Sequence, residues 1–198
     1  MFLLGCAWMA GAQESIRVHY QGEKPTIRDF VQAYLFADED ADEEESMGEP
    51  LEACKEAWER RTRGLAQPRG ESLTIDSKNG YVCYESKYQS SVLRVEMCYW
   101  NESDGKHKLF ACNIRTLTDG RYYCGQYDGL LFYRYNNATE VMTRCDAPGF
   151  EALFTADDGN VLISYALPRT GKDIAVTYWY EHGTRNKTLH WNGRSFSL

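Results

Sequence analysis

The chain has 198 residues, and its 29 acidic against 22 basic side chains leave a formal charge of -7. That balance argues against a nucleic-acid partner, whose phosphates demand a basic face, and against docking on anionic lipid. The length suffices to bury one core without cross-links as its main support, so a single domain is expected.

Residues 1–12, Met1 to Ala12, carry no charge and are followed at once by Gln13-Glu14-Ser15. The stretch falls far short of the roughly 20 apolar residues that span a bilayer, so no transmembrane segment is expected. It fits the h-region of a secretory signal, with Ala10 and Ala12 at the small-residue positions of a cleavage site. The basic n-region of such a signal is missing. Two other readings are a hydrophobic core strand and a lipobox at Leu3-Leu4-Gly5-Cys6, which would anchor lipid on Cys6. Residues 13–198 then form the single exported domain.

The seven cysteines are Cys6, Cys54, Cys83, Cys98, Cys112, Cys124 and Cys145. Removal of the first leaves an even number and no C-x-x-C, which points away from a zinc knuckle or thioredoxin-type site and towards disulfides. Bridges persist in oxidising compartments, so the count agrees with export. The expected pairs are Cys83–Cys98 and Cys112–Cys124 across hairpins, with Cys54–Cys145 tying a helix to the strands.

Two helices are expected first. Thr26 is the N-cap of one, with Asp29 as its acidic capping partner, and Ile27, Phe30, Val31, Tyr34 and Leu35 share a face. The second opens at Glu49-Pro50, presents Leu51, Cys54, Ala57 and Trp58, and stops at Gly64 after a basic last turn. Between them residues 38–45 hold seven acidic residues in eight, a self-repelling loop. Asp38, Asp40, Asp42, Glu44, Ser46 and Glu49 match EF-hand ligand spacing, but the sharp turn needs Gly where Glu43 stands. A solvated loop is therefore the stronger expectation, with calcium as the weak alternative.

From Ser72 onward the pattern is short alternating strands: 73–75, 81–85, 92–100, 108–114, 121–127, 130–135, 140–143, 153–154, 161–165, 174–180 and 187–191. In 92–100, Leu93, Val95, Met97 and Tyr99 share one face and Arg94 and Glu96 the other. Asn79-Gly80, Asp104-Gly105, Asp119-Gly120, Asp128-Gly129, Asp158-Gly159 and Asn192-Gly193 supply the hairpin turns. The fold class expected is α+β: two N-terminal helices on a predominantly antiparallel β-meander, a partial barrel or a sandwich.

No H-E-x-x-H, G-x-S-x-G or phosphate-cradling glycine loop occurs, so no cofactor or resident metal is expected. The 14 tyrosines and 5 tryptophans crowd the later strands. If only one sheet face is core, some rings reach the surface, and Tyr123, Tyr133, Tyr135, Trp179 and Trp191 are the candidate contacts for a carbohydrate or protein ligand. The expected function is an exported, non-enzymatic binding module. The rival is a periplasmic hydrolase whose site is assembled from dispersed carboxylates and histidines, with His182 and His190 first.

The opening Leu3-Leu4-Gly5-Cys6-Ala7-Trp8-Met9-Ala10-Gly11-Ala12 resembles the end of a signal peptide in exported proteins of Bacteroidetes. Leu162 to Pro168 and Thr188 to Phe196 resemble segments of uncharacterised proteins from that group. The resemblance implies a periplasmic, cell-surface or secreted location and a true start upstream of Met1, and it transfers no catalytic residue.

Overall fold

The computed structural model describes residues 15–37, 48–150 and 161–198. The signal-like residues 1–12, the lipobox Cys6, the acidic run 38–45 with its calcium candidates Asp38, Asp40 and Asp42, and the strand expected at 153–154 lie outside the described residues. The described fold is mostly antiparallel β-sheet with two helices.

Helix α1 (Ile27–Leu35) starts where the capping residues place it. The Thr26 backbone N–H and hydroxyl both donate to Asp29 Oδ2, at 2.7 and 2.8 Å. Helix α2 (Glu49–Thr62) begins at Gly48 with a proline in its first turn. Its Leu51, Cys54, Ala57 and Trp58 are buried together with Ile27, Phe30, Val31, Tyr34 and Leu35 of α1. Trp58 Nε1 donates to Gln32 Oε1 at 2.7 Å and ties the two helices.

The large sheet is built from β1 (Ser15–Arg17), β2 (Glu71–Asp76), β3 (Tyr81–Tyr88), β4 (Ser91–Asn101), β5 (His107–Thr118), β6 (Arg121–Tyr122), β7 (Gly129–Asn136) and β8 (Val141–Cys145). Its order is β1-β8-β7-β5-β4-β3-β2, with β6 paired to the end of β5. The smaller sheet holds β9 (Leu162–Ala166), β10 (Ile174–Tyr180), β11 (Gly183–Trp191) and β12 (Phe196–Ser197), in the order β12-β11-β10-β9. Both sheets are open.

The expected strand over 121–127 ends at Tyr122. Leu117 pairs with Tyr122, so a longer β6 would next reach Thr116. That residue's backbone N–H instead donates to the buried carboxylate of Asp128, at 3.0 Å, and β7 takes over as the partner of β5 from Gly129.

Alternation along each strand divides the large sheet into two buried faces. Val82, Tyr84, Val95, Met97, Phe110, Cys112, Ile114, Tyr133 and Tyr135 share a core with the helices. Phe30 is their central knob, with ring centroids 5.0 to 5.9 Å from Tyr135, Tyr99 and Phe110. On the other face Tyr81, Cys98, Trp100, Leu109, Ala111 and Phe132 share a second core with Ile174, Val176, Tyr178, Leu189, Trp191 and Phe196 of the small sheet. Trp100 bridges the sheets, its ring 5.3 Å from Phe196 and its Nε1 donating to Lys172 O at 2.8 Å.

Candidate functional site

The double burial of the large sheet decides where the aromatic residues go. Tyr133 and Tyr135 lie inside the helix-side core and Trp191 inside the second core, so these three are not surface contacts. Alternation would have left one face free only if a single layer covered the sheet. Trp179 is half-buried, with its Nε1 donating to Ser164 Oγ at 2.8 Å. Tyr123 is 58% exposed, and Tyr88, at the tip of the β3–β4 hairpin, is 73% exposed.

Tyr88 and Tyr123 belong to one end of the large sheet. Tyr88 pairs with Ser91, Ser91 with Thr118, and Thr118 with Arg121, two residues before Tyr123. Three strand spacings put the Tyr88 and Arg121 positions about 15 Å apart. Tyr122 turns to the small sheet and packs on Trp179 with centroids 6.4 Å apart, and Tyr123 follows it just past the end of β6. Between Tyr88 and Tyr123, Ser91 Oγ and Thr118 Oγ1 are hydrogen-bonded at 2.9 Å. Arg121 is anchored beneath, its Nη2 donating to Tyr180 O at 2.8 Å. The result is two rings flanking a row of hydroxyls on pinned hairpin tips.

The opposite face of the same strands carries a polar cluster between the sheets. Glu96, 3% exposed, accepts from Tyr81 Oη at 3.0 Å and Asn113 Nδ2 at 3.1 Å. Asn113 also donates to Tyr165 O of β9 at 2.9 Å. Arg115 Nη2 lies 3.5 Å from Glu96 Oε2. One row further out, Arg94 Nε donates to Glu85 Oε2 at 2.6 Å, and Lys87 Nζ pairs with Glu85 Oε1 at 2.9 Å. Burial, and then the adjacent Glu96 carboxylate, push the Tyr81 hydroxyl and the Cys83 thiol above their ordinary pKa values.

No Sγ–Sγ bond joins any of the six described cysteines, so none of the three expected bridges is formed among them. Register explains why. Cys83 lies opposite Glu96 and Cys98 opposite Tyr81, so these thiols are diagonal rather than facing. Cys54 is in the helix-side core while Cys145 packs against the second core, with the sheet between them. Cys112 points into the helix-side core, away from the β5–β6 hairpin end where Cys124 follows Tyr123. Burial pushes Cys112 up to about 12 and Cys145 up to about 11, and it raises Cys54 and Cys98 well above the thiol range. These thiols are poor nucleophiles.

The histidines sit elsewhere. His190 is within hydrogen-bond reach of a carboxylate, its Nδ1 lying 2.8 Å from Asp173 Oδ2, but its side chain is 61% exposed. Ser197 is its direct cross-strand neighbour. His182 stands in the open β10–β11 tip, 3.9 Å from Glu181. His107 belongs to a group with Glu102 and Asp104 whose ligand atoms lie within 4.8 Å of one another. Arg134 already fills that group: its Nη2 is 2.6 Å from Glu102 Oε2 and 3.4 Å from His107 Nδ1. The guanidinium stands where a cation would, and the set closes the β4–β5 turn. Glu49, the one member of the calcium pattern in a described helix, is the first residue of α2.

Sequence reasoning missed Tyr88 and the depth of Glu96. The face assigned to Arg94 and Glu96 also carries Val92, Cys98 and Trp100, and those residues were the available sign that this face too is covered. No helix among the described residues is long and apolar enough to cross a membrane. No family model, curated protein or solved structure matches the chain. Among the described residues the fold is mostly antiparallel β, two open sheets with two helices.

Proposed function

We propose that the protein is an exported binding module that holds an extended carbohydrate chain across the hairpin end of its large sheet. The observation that supports this is the pair of exposed rings, Tyr88 and Tyr123, at one end of the large sheet. Tyrosine rings offer flat apolar faces to sugar rings, with little conformational entropy to lose. The hydroxyls of Ser91 and Thr118 between them can exchange hydrogen bonds with a polar ligand, whereas a protein hot spot would favour continuous apolar cover. A span of about 15 Å suits an oligomer of a few sugar units better than a single one. Co-sedimentation with insoluble neutral polysaccharides tests the reading. Wild-type protein is expected in the pellet of at least one of them and the Tyr88→Ala/Tyr123→Ala variant in the supernatant. Equal distribution of the two proteins with every polysaccharide refutes it.

A second reading, ester hydrolysis, is favoured by Asp173, which orients His190 beside Ser197. Aspartate on Nδ1 leaves Nε2 as the base, and the cross-strand serine is the nearest hydroxyl in register. Turnover of an activated ester that His190→Ala abolishes would establish this reading. Equal rates in the two proteins would remove it.

A further inference from the structure

The chain leaves the large sheet immediately before Tyr123, whose ring is exposed. Tyr122 pairs with Leu117, so a longer ladder would place Tyr123 opposite Thr116. The Thr116 backbone N–H donates instead to Asp128 Oδ2 at 3.0 Å, and its hydroxyl donates to Oδ1 at 3.3 Å. The Asp128 carboxylate thus takes the backbone site that would otherwise draw Tyr123 into the sheet.

The same carboxylate closes the β6–β7 loop from within. The Gly125 backbone N–H donates to it, and the Asp128 N–H returns to Gly125 O at 3.2 Å. Gly125 lies so close that an added Cβ would stand 3.2 Å from Asp128 Oδ1. Asp128 is buried and has no cation within ion-pair distance among the described residues. Burial raises its pKa, so neutral donors alone hold the carboxylate against its own desolvation. At the far end of the loop Tyr127 packs on Gly48, where an added Cβ would stand 2.7 Å from Tyr127 Cδ1. The loop is therefore held at Gly125 and at Tyr127, and Tyr123 is the ring it leaves exposed.

We propose that Asp128 is the positioning residue for Tyr123: it ends β6 at Tyr122 and fixes residues 123–127 so that the Tyr123 ring stands off the sheet end. The proposal deepens the carbohydrate reading and rests on it for the ligand of that ring.

The test compares the full chain with its Asp128→Ala, Asp128→Asn, Tyr123→Ala and Asp128→Ala/Tyr123→Ala variants. Binding is read by co-sedimentation with cellulose, chitin and starch granules, and loop order by amide hydrogen exchange without polysaccharide. Asp128→Ala should weaken binding as far as Tyr123→Ala does, about two- to tenfold for one ring. The double variant should bind no more weakly than Tyr123→Ala, because Asp128 acts through that ring. Asparagine keeps an acceptor for the Thr116 N–H, so Asp128→Asn should recover most of the binding. The Thr116 and Gly125 amides should exchange about tenfold faster in Asp128→Ala. Thr116→Val, which removes only the hydroxyl donor, should show the same effects in smaller degree if Asp128→Ala does not fold. Unchanged exchange or unchanged binding in Asp128→Ala overturns the proposal. Losses that add to those of Tyr123→Ala also overturn it, since a merely structural role would give them. Wild-type protein that sediments with none of the three polysaccharides removes the carbohydrate reading instead, and the exchange rates then decide whether Asp128 fixes the loop.

Discussion

Replacing Glu96 by glutamine removes one buried charge and almost no volume, so the effect reports on the polar cluster alone. The glutamate accepts from Tyr81 and Asn113 and is the only carboxylate within ion-pair distance of Arg115 among the described residues. Glutamine keeps one acceptor oxygen. With its oxygen kept on the Asn113 amide, its amide nitrogen can only donate to the Tyr81 oxygen, so the charge-assisted bond from Tyr81 gives way to a neutral one and the Tyr81 proton loses its acceptor. A hydrogen bond to a charged group contributes about 1.5–3 kcal/mol, and leaving Arg115 without its counter-charge adds to the loss. Relief of the carboxylate's own desolvation offsets part of it, and the expected net destabilisation is about 2–4 kcal/mol. Urea unfolding followed by tryptophan fluorescence measures it, because Trp100 and Trp191 lie in the adjoining core. Combining Glu96→Gln with Arg115→Met should recover part of the loss, since both charges then leave together. A change below about 0.5 kcal/mol, as expected of a surface site, would refute the claim that the cluster between the sheets depends on the buried Glu96 carboxylate.

Gly149→Ala is expected to cost at least about 3 kcal/mol in thermal unfolding, from positive-φ strain plus a steric clash. Its φ is +90°, and an added Cβ would stand 2.0 Å from Phe196 O. Asp104 is held at about 2, below its usual range near 4, chiefly by its hydrogen bond with His107 and then by the Lys106 backbone N–H. The stability it contributes is therefore present above pH 4 and lost as the pH falls through about 2. Asp104→Asn should flatten acid unfolding over that window, and an unchanged acid limb would contradict the assignment. A chain beginning at Gln13 should unfold at the midpoint of the full chain if residues 1–12 are a signal, whereas a lower midpoint places them in the core. Intact mass of exported material separates cleavage near Ala12 from lipid on Cys6.

Local chemistry was legible where the residues concerned interact with near neighbours. The Thr26–Asp29 cap and the α1 stripe of Ile27, Phe30, Val31, Tyr34 and Leu35 appear as read. Hairpin strands such as β4 and β5 also appear on either side of the turn that Asp104-Gly105 specifies. What depends on distant parts of the chain was not legible. Whether the Arg94 and Glu96 face meets water or a second sheet is set by β9 to β12, more than sixty residues away. The packing of the large sheet on that layer put Trp191 of β11 in a core instead of on a surface. The cysteines looked paired because two of the spacings fit hairpins, yet Cys83 and Cys98 are offset by two residues, Cys112 faces the helix-side core away from Cys124, and the sheet separates Cys54 from Cys145. Tyr88 escaped notice because a single tyrosine at a hairpin tip differs from its neighbours only in exposure.

Affinity electrophoresis through gels containing soluble neutral polysaccharides tests the carbohydrate reading most directly. At least one polysaccharide should retard the wild-type protein, and Tyr88→Ala and Tyr123→Ala should each weaken the retardation. Together they should abolish it, while all these proteins unfold at the same midpoint. Retardation that survives both substitutions, or wild-type mobility unchanged by every polysaccharide, would contradict it.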